Sequence, residues 1–180
     1  IGAKNLTYGG SLTVTKSGPG TLASGDSFAL VTTSGGTFGG WFNSVTVPAL
    51  GSNLAWDTND LETSGVLDVY SFTTTPLTVA TLINTTATIS AAKLANHVSS
   101  AKLLTAYPAT GWTATASGNN LTLGSVSFVS GNLVYTANGI AGTDNFTVTF
   151  NDGHGSQTMA VVVTVNAANV GPTLTAANNG

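Results

Sequence analysis

Four of the seven acidic residues lie close together in the chain, at Asp57, Asp60, Glu62 and Asp68. Carboxylates at such spacing have two chemical uses: they supply the hard oxygen ligands that calcium needs, or they form the acid and base pair of a glycosidase. Read as a calcium loop beginning at Asp57, the segment has Leu61 at a ligand position and Glu62 where the loop requires glycine, so the EF-hand template fails. Asp57, Asp60 and Glu62 are left as calcium candidates outside any standard loop, and the stretch reads first as a solvated loop. His97 and His154 are the only histidines. Zinc takes three or four nitrogen, sulfur or oxygen donors, and His154 lies in Asn151-Asp152-Gly153-His154-Gly155, a composition that makes turns. Asp144 and Asp152 read the same way, as short side chains that hold nearby backbone N–H groups. No Gly-x-Ser-x-Gly elbow, phosphate loop or dinucleotide fingerprint occurs, so the abundant serines have no visible base. The three tryptophans, Trp41, Trp56 and Trp112, have two readings. Exposed, they form a platform on which sugar rings stack; buried, each fills about 150–250 Å² of a thin core. Trp41, flanked by Gly40 and Phe42, is the one expected at the surface.

Composition narrows the function classes further. Only 6% of the residues are charged, against about 25% in an ordinary soluble domain. Arginine is absent, and the lysines are Lys4, Lys16, Lys93 and Lys102. Such a chain has no basic patch to neutralise phosphates or to hold anionic lipid, which excludes nucleic-acid binding. A net charge of −3 and a pI near 4.9 mark mild acidity. Cysteine is absent, so disulfides, thiolate metal sites and cysteine nucleophiles are excluded. Thr, Ser, Gly, Asn and Ala dominate instead, a hydroxyl- and amide-rich composition that suits an extracellular setting of variable salt and pH. Without disulfides, that setting points to a bacterial or archaeal source. No run approaches 18 uninterrupted apolar residues, so no membrane insertion is expected.

Short strands carry this composition. Phe146, Val148 and Phe150 alternate with threonines, and the turn at 151–155 is followed by Met159 to Val165, β-branched almost throughout. Gly139 to Val165 is therefore predicted to be a β-hairpin whose second strand is central in its sheet, because Val161-Val162-Val163 does not alternate. Leu12 and Val14 alternate with polar neighbours. Asp26 to Val31, Val45 to Val47, Leu54 to Trp56 and Gly65 to Tyr70 give further strands at roughly ten-residue spacing, the signature of a sandwich or barrel. Ile89 to Asn96 has helical character, with Ser90 as its cap. Ser71 to Pro76 is the expected joint between modules.

The order LTYGGSLTVT, GDSFALV, GTFGGWFNSVTVPAL, LAWDTNDL and SGVLDV resembles the module that closes the β-helical passenger regions of autotransporter-associated repeat proteins in environmental bacteria. The resemblance covers about residues 1–70. In that family another strand precedes the position of Ile1, which implies that the chain begins inside a module. Leu94-Ala95-Asn96, Val134-Tyr135-Thr136, Gly142 to Phe146, Asn151 to Gly155 and Val161 to Val165 resemble the cadherin-like and immunoglobulin-like tandem modules of large bacterial surface proteins, over about residues 76–166. Those modules follow Leu-Ala-Asn with an acidic calcium-binding run. His97-Val98-Ser99-Ser100 stands there instead, so the resemblance does not carry calcium to this joint.

The sequence as a whole predicts an all-β chain of two antiparallel β-sandwich modules, immunoglobulin-like or jelly-roll-like, over residues 1–72 and 73–167. Residues 168–180 follow as an extended linker or donor-strand tail. The expected function is a non-enzymatic extracellular structural or adhesive role at a bacterial cell surface, with copies of the chain or neighbouring modules as partners. Val170, Pro172 and Leu174 are the candidate donor strand for fibre assembly by strand addition. The alternative is a carbohydrate-binding module of a secreted hydrolase, with glycans as partners and Trp41 as the contact.

Overall fold

The computed structural model describes residues 5–103, 106–117 and 121–168. Val170, Pro172 and Leu174 lie outside them. The described chain is all-β, with fifteen strands and two short helices.

The first five strands are β1 (Asn5–Tyr8), β2 (Ser11–Thr13), β3 (Ser27–Ala29), β4 (Thr37–Gly40) and β5 (Ser44–Thr46). They do not form the antiparallel sandwich expected of this region. β1 pairs with β4 in parallel, Asn5 opposite Thr37, and β2 pairs with β5 in parallel, Ser11 opposite Ser44. The physical reason lies in the corners. Gly10 and Gly40 adopt φ of +70° and +77°, a left-handed conformation natural to glycine. There the chain bends from one short strand into the next without reversing, and the excursion through residues 14–36 brings it back to lie on itself one turn later. Gly40 admits no side chain, because a Cβ would run into the Tyr8 carbonyl oxygen. Tyr8 packs against Phe38 and Phe42, with ring centroids 5.9 and 4.6 Å away.

Next come β6 (Leu54–Asp57), α1 (Leu61–Ser64), β7 (Val66–Thr74), β8 (Leu77–Leu82), β9 (Thr86–Ile89), α2 (Ala91–Ala95) and β10 (Val98–Ser100). β7 is the spine of this part. β6 pairs along one edge, Asp57 opposite Asp68, and β3 and β10 share the other. Leu67 and Val69 are buried on one face of β7, whereas Tyr70 and Phe72 are buried on the opposite face, as their parity requires. The latter two join the main hydrophobic core together with residues from β8 to β15. The segment expected to be a joint is mostly strand, since β7 runs to Thr74 and only Thr75-Pro76 separate it from β8. α2 forms where Ser90 caps it by accepting from the Lys93 N–H at 3.2 Å, with Leu94 buried beneath.

The remaining strands are β11 (Thr113–Ser117), β12 (Gly124–Val129), β13 (Asn132–Ala137), β14 (Gly142–Asn151) and β15 (Ser156–Asn166). One sheet has the order β11-β14-β15-β8 and another β12-β13-β9. β14 and β15 form the long hairpin, Phe146 opposite Val161, and β15 lies between β14 and the parallel β8. Both sheets contribute to the main core, through Leu133 and Tyr135 on β13, Phe146, Val148 and Phe150 on β14, and Val161, Val163 and Val165 on β15.

Candidate functional site

The turn of the β14–β15 hairpin folds back onto β6 and β7, and this junction holds two of the three buried carboxylates among the described residues, Asp57 and Asp152. Asp152 is buried at its centre. Its Oδ1 accepts from the backbone N–H of His154 at 3.0 Å and of Gly155 at 2.9 Å, the local turn role its residue type foretold. It also accepts the Tyr70 hydroxyl, 3.0 and 3.1 Å from its two oxygens, and the Ser100 hydroxyl. The hairpin tip is thereby fastened to β7 and β10. Burial raises the Tyr70 phenol well above its ordinary range, and the adjacent Asp152 charge raises it further.

Asp57, only 1% exposed, lies beside this brace. Lys102 Nζ is 2.9 Å from its Oδ2, His154 Nδ1 is 3.2 Å from each oxygen, and the Asn59 N–H donates to Oδ1 at 3.1 Å. Lys102 also reaches Asp68 Oδ2 at 3.4 Å. Burial pushes the Asp57 carboxyl up, but the Lys102, Asn59 and His154 hydrogen bonds outweigh it and hold the group below the ordinary value. The Asp57 hydrogen bond raises Lys102 in return, against the effect of burial.

Of the three proposed calcium ligands, Asp57 and Asp60 come together, joined by Asp68 rather than by Glu62. Asp57, Asp60 and Asp68 each bring an oxygen within 4.8 Å of the others, whereas Glu62 accepts from the Phe42 N–H at 2.9 Å. Lys102 already supplies positive charge between Asp57 and Asp68, the role a cation would play there. His97 Nδ1 lies 3.0 Å from the Thr75 hydroxyl, so the two histidines serve different places. Asp144, also buried, takes the Tyr135 hydroxyl at 2.6 Å and the N–H groups of Thr122 and Leu123 at 3.1 and 3.2 Å.

The aromatics divide. Trp112 packs edge-on against Phe72 and Tyr107, and Trp56 donates its indole N–H to the Pro48 carbonyl at 2.8 Å. Trp56 and His154 also line an open cleft of about 490 Å³ with Leu50 and Gln157. Trp41 is 75% exposed. It stands at the corner between β4 and β5, where the separation between coil partners grows from 32 residues at Asn5–Thr37 to 33 at Ser11–Ser44.

The chain matches no protein-family model and no curated protein. Among solved structures it is similar to two endo-fucoidan hydrolases of glycoside hydrolase family 107. They share 14% and 16% identity over 54% and 69% of this chain, with TM-scores of 0.37 and 0.36. A SusE-like surface-located polysaccharide-binding protein from the Bacteroides thetaiotaomicron heparin utilisation locus shares 9% identity over 81% of this chain, with a TM-score of 0.32. The chain spans 16% of the length of each hydrolase and 19% of the third protein.

Lys102 is the member of this charged network that sequence reasoning passed over. Asp57 and Asp68 face each other across β6 and β7, and like charges in direct cross-strand register are unfavourable without a cation. The coil left a trace as well, for Ser11-Leu12-Thr13-Val14 recurs as Ser44-Val45-Thr46-Val47.

Proposed function

We propose that this chain is a non-catalytic structural or adhesive unit of a bacterial cell surface, and that its β1–β2 edge seats a preceding coil of a parallel β-solenoid. The observation that carries this reading is the parallel stacking of residues 5–13 on residues 37–46. A coil that stacks in this way buries its inner face only with a neighbour above and below. Here β4 and β5 cover one edge of β1 and β2, and no strand among the described residues covers the other. That edge offers a row of free N–H and C=O groups, which favours strand addition. The buried carboxylates fit a structural role too, because each is engaged by donors from its own chain.

The test is a chain in which a copy of residues 5–36 is inserted ahead of Asn5. The added coil is expected to raise the melting temperature and to resist limited proteolysis. An added copy that is digested freely while the melting temperature stays unchanged overturns the reading. A second reading, glycan binding, is favoured by the 75% exposure of Trp41. Binding on a glycan array that disappears in Trp41→Ala supports it, and no binding by the parent chain removes it.

A further inference from the structure

We propose that Lys102 and Asp57 condense to an intramolecular amide that fastens β6 to the segment following β10. Lys102 Nζ lies 2.9 Å from Asp57 Oδ2, one C–O bond from the carboxyl carbon it would attack. The rest of the carboxyl is held for that reaction. Oδ1 accepts the Asn59 N–H at 3.1 Å and lies 3.2 Å from His154 Nδ1, so charge developing on this oxygen meets a backbone donor already in place. Asn59 Nδ2 donates to the Gly153 carbonyl at 3.0 Å and lies 3.3 Å from His154 Nδ1, which ties the Asn59 side chain to the hairpin turn beside the carboxyl. Asp68 Oδ2, 3.4 Å from Lys102 Nζ, is the nearby proton carrier. Asp57 is 1% exposed, while the lysine side chain is 28% exposed.

The ionised pair is the resting state, and reaction begins from its neutral tautomer. One proton moves from the Lys102 ammonium to Asp57 Oδ2 along their hydrogen bond, giving an amine and a carboxylic acid. Burial favours this uncharged pair. The Nζ lone pair adds to Cγ to form the N–C bond, Oδ1 takes up the negative charge, and Asp68 accepts the proton that Nζ sheds. Asp68 returns this proton to the Oδ2 hydroxyl, the Cγ–Oδ2 bond breaks, and one water departs as the Cγ–Oδ1 double bond re-forms. The balance is an ammonium and a carboxylate converted to an amide and water, with no oxidant, reductant or cofactor. Fixed juxtaposition supplies the advantage that two separate reactants lack.

The placement gives the amide a purpose. β6 and β10 pair on opposite edges of β7, so the link would straddle the spine strand and close the chain between residues 57 and 102. A chain without cysteine has no disulfide to do this. The amide and the solenoid edge rest on different residues, so either reading can fail alone.

Intact mass spectrometry of the purified full chain under denaturing conditions is the test, followed by trypsin digestion. The expected mass is one water below that of the sequence, with residues 17–93 recovered joined to 94–180 because the condensed Lys102 is no longer cleaved. Lys102→Met is expected at its full sequence mass. Asp68→Asn, which keeps the reacting pair, is expected to remain unlinked, and a linked Asp68→Asn chain overturns the relay assigned to Asp68. A parent chain at full sequence mass that releases 94–102 as a separate peptide overturns the amide. So does a chain lacking one water but cleaved normally at Lys102, since that loss would come from cyclisation within the backbone.

Discussion

Asp152→Ala should remove about 3–5 kcal/mol of stability, the usual consequence of taking one partner from a buried charged network. The magnitude can be assembled from its contacts. The carboxylate receives the Tyr70 and Ser100 hydroxyls and the N–H groups of His154 and Gly155. Alanine strands the Tyr70 hydroxyl, whose residue is only 3% exposed, at about 1–3 kcal/mol, and the bonds to a charged acceptor were each worth about 1.5–3 kcal/mol before offsets. His154 is partly exposed, so water recovers part of the loss at the hairpin tip. Against a total of about 5–15 kcal/mol for a folded chain, the effect is large. Urea unfolding followed by tryptophan fluorescence should show the midpoint falling by about a fifth or more. Tyr70→Phe alone should cost about 1–2 kcal/mol, since Asp152 keeps its other donors. In the double variant the Tyr70 change should cost almost nothing further, a coupling of about 1 kcal/mol or more. Because Asp152 lies on the β14–β15 turn and Tyr70 on β7, such coupling also requires that these elements unfold together. A loss below about 1 kcal/mol for Asp152→Ala, or strict additivity in the cycle, would refute the brace.

Two further outcomes follow from the geometry. While Lys102 is uncondensed, the folded state holds Asp57 below its ordinary 3.8 and Lys102 above 10.5. The Asp57 contribution is then present above pH 3.8 and lost as the pH falls through its lower folded value, and the Lys102 contribution is present below pH 10.5 and lost as the pH rises through its higher one. Urea midpoints of the Asp68→Asn chain across pH should therefore decline at both ends more than those of Lys102→Met/Asp68→Asn, and parallel profiles would contradict the pairing. Gly40→Ala should lower stability by more than about 1 kcal/mol through its positive φ alone, with the Tyr8 clash in addition. Gly9→Ala, which meets nothing within 4 Å, should leave the melting temperature nearly unchanged, and equal effects at the two positions would contradict the corner geometry.

What could be read from the sequence was what has a local cause. The β14–β15 hairpin declared itself by alternation at Phe146, Val148 and Phe150, and α2 by a serine three positions ahead of the N–H that it caps. The parallel coil had no such local cause, because its pairing partners lie 32 and 33 residues apart and Gly9-Gly10 has the same composition whether a chain reverses or merely turns a corner. Asp152 shows the same division within one residue. Its bonds to the N–H groups two and three positions on follow from its type, whereas Tyr70 and Ser100 reach it from 82 and 52 positions away. Glu62 was grouped with Asp57 by proximity in sequence, yet α1 directs it to Phe42 while the strand register brings Asp68 to Asp57.

A chain with so few charges places them where they join segments remote in sequence. Asp144 fastens β14 to Tyr135 and to the Thr122-Leu123 backbone, and Asp152 fastens the hairpin tip to β7. Both carboxylates are filled by hydroxyl and amide donors. This saturation makes them chemically quiet, since neither a phenol nor a peptide N–H is a nucleophile in these surroundings. Asp57 differs in one partner. Where Asp144 and Asp152 face phenols, Asp57 faces an amine, with a second carboxylate within reach of that amine to carry its proton. The device that elsewhere in the chain gives a hydrogen-bonded tether has here the composition to give a covalent one, and the difference rests on Lys102.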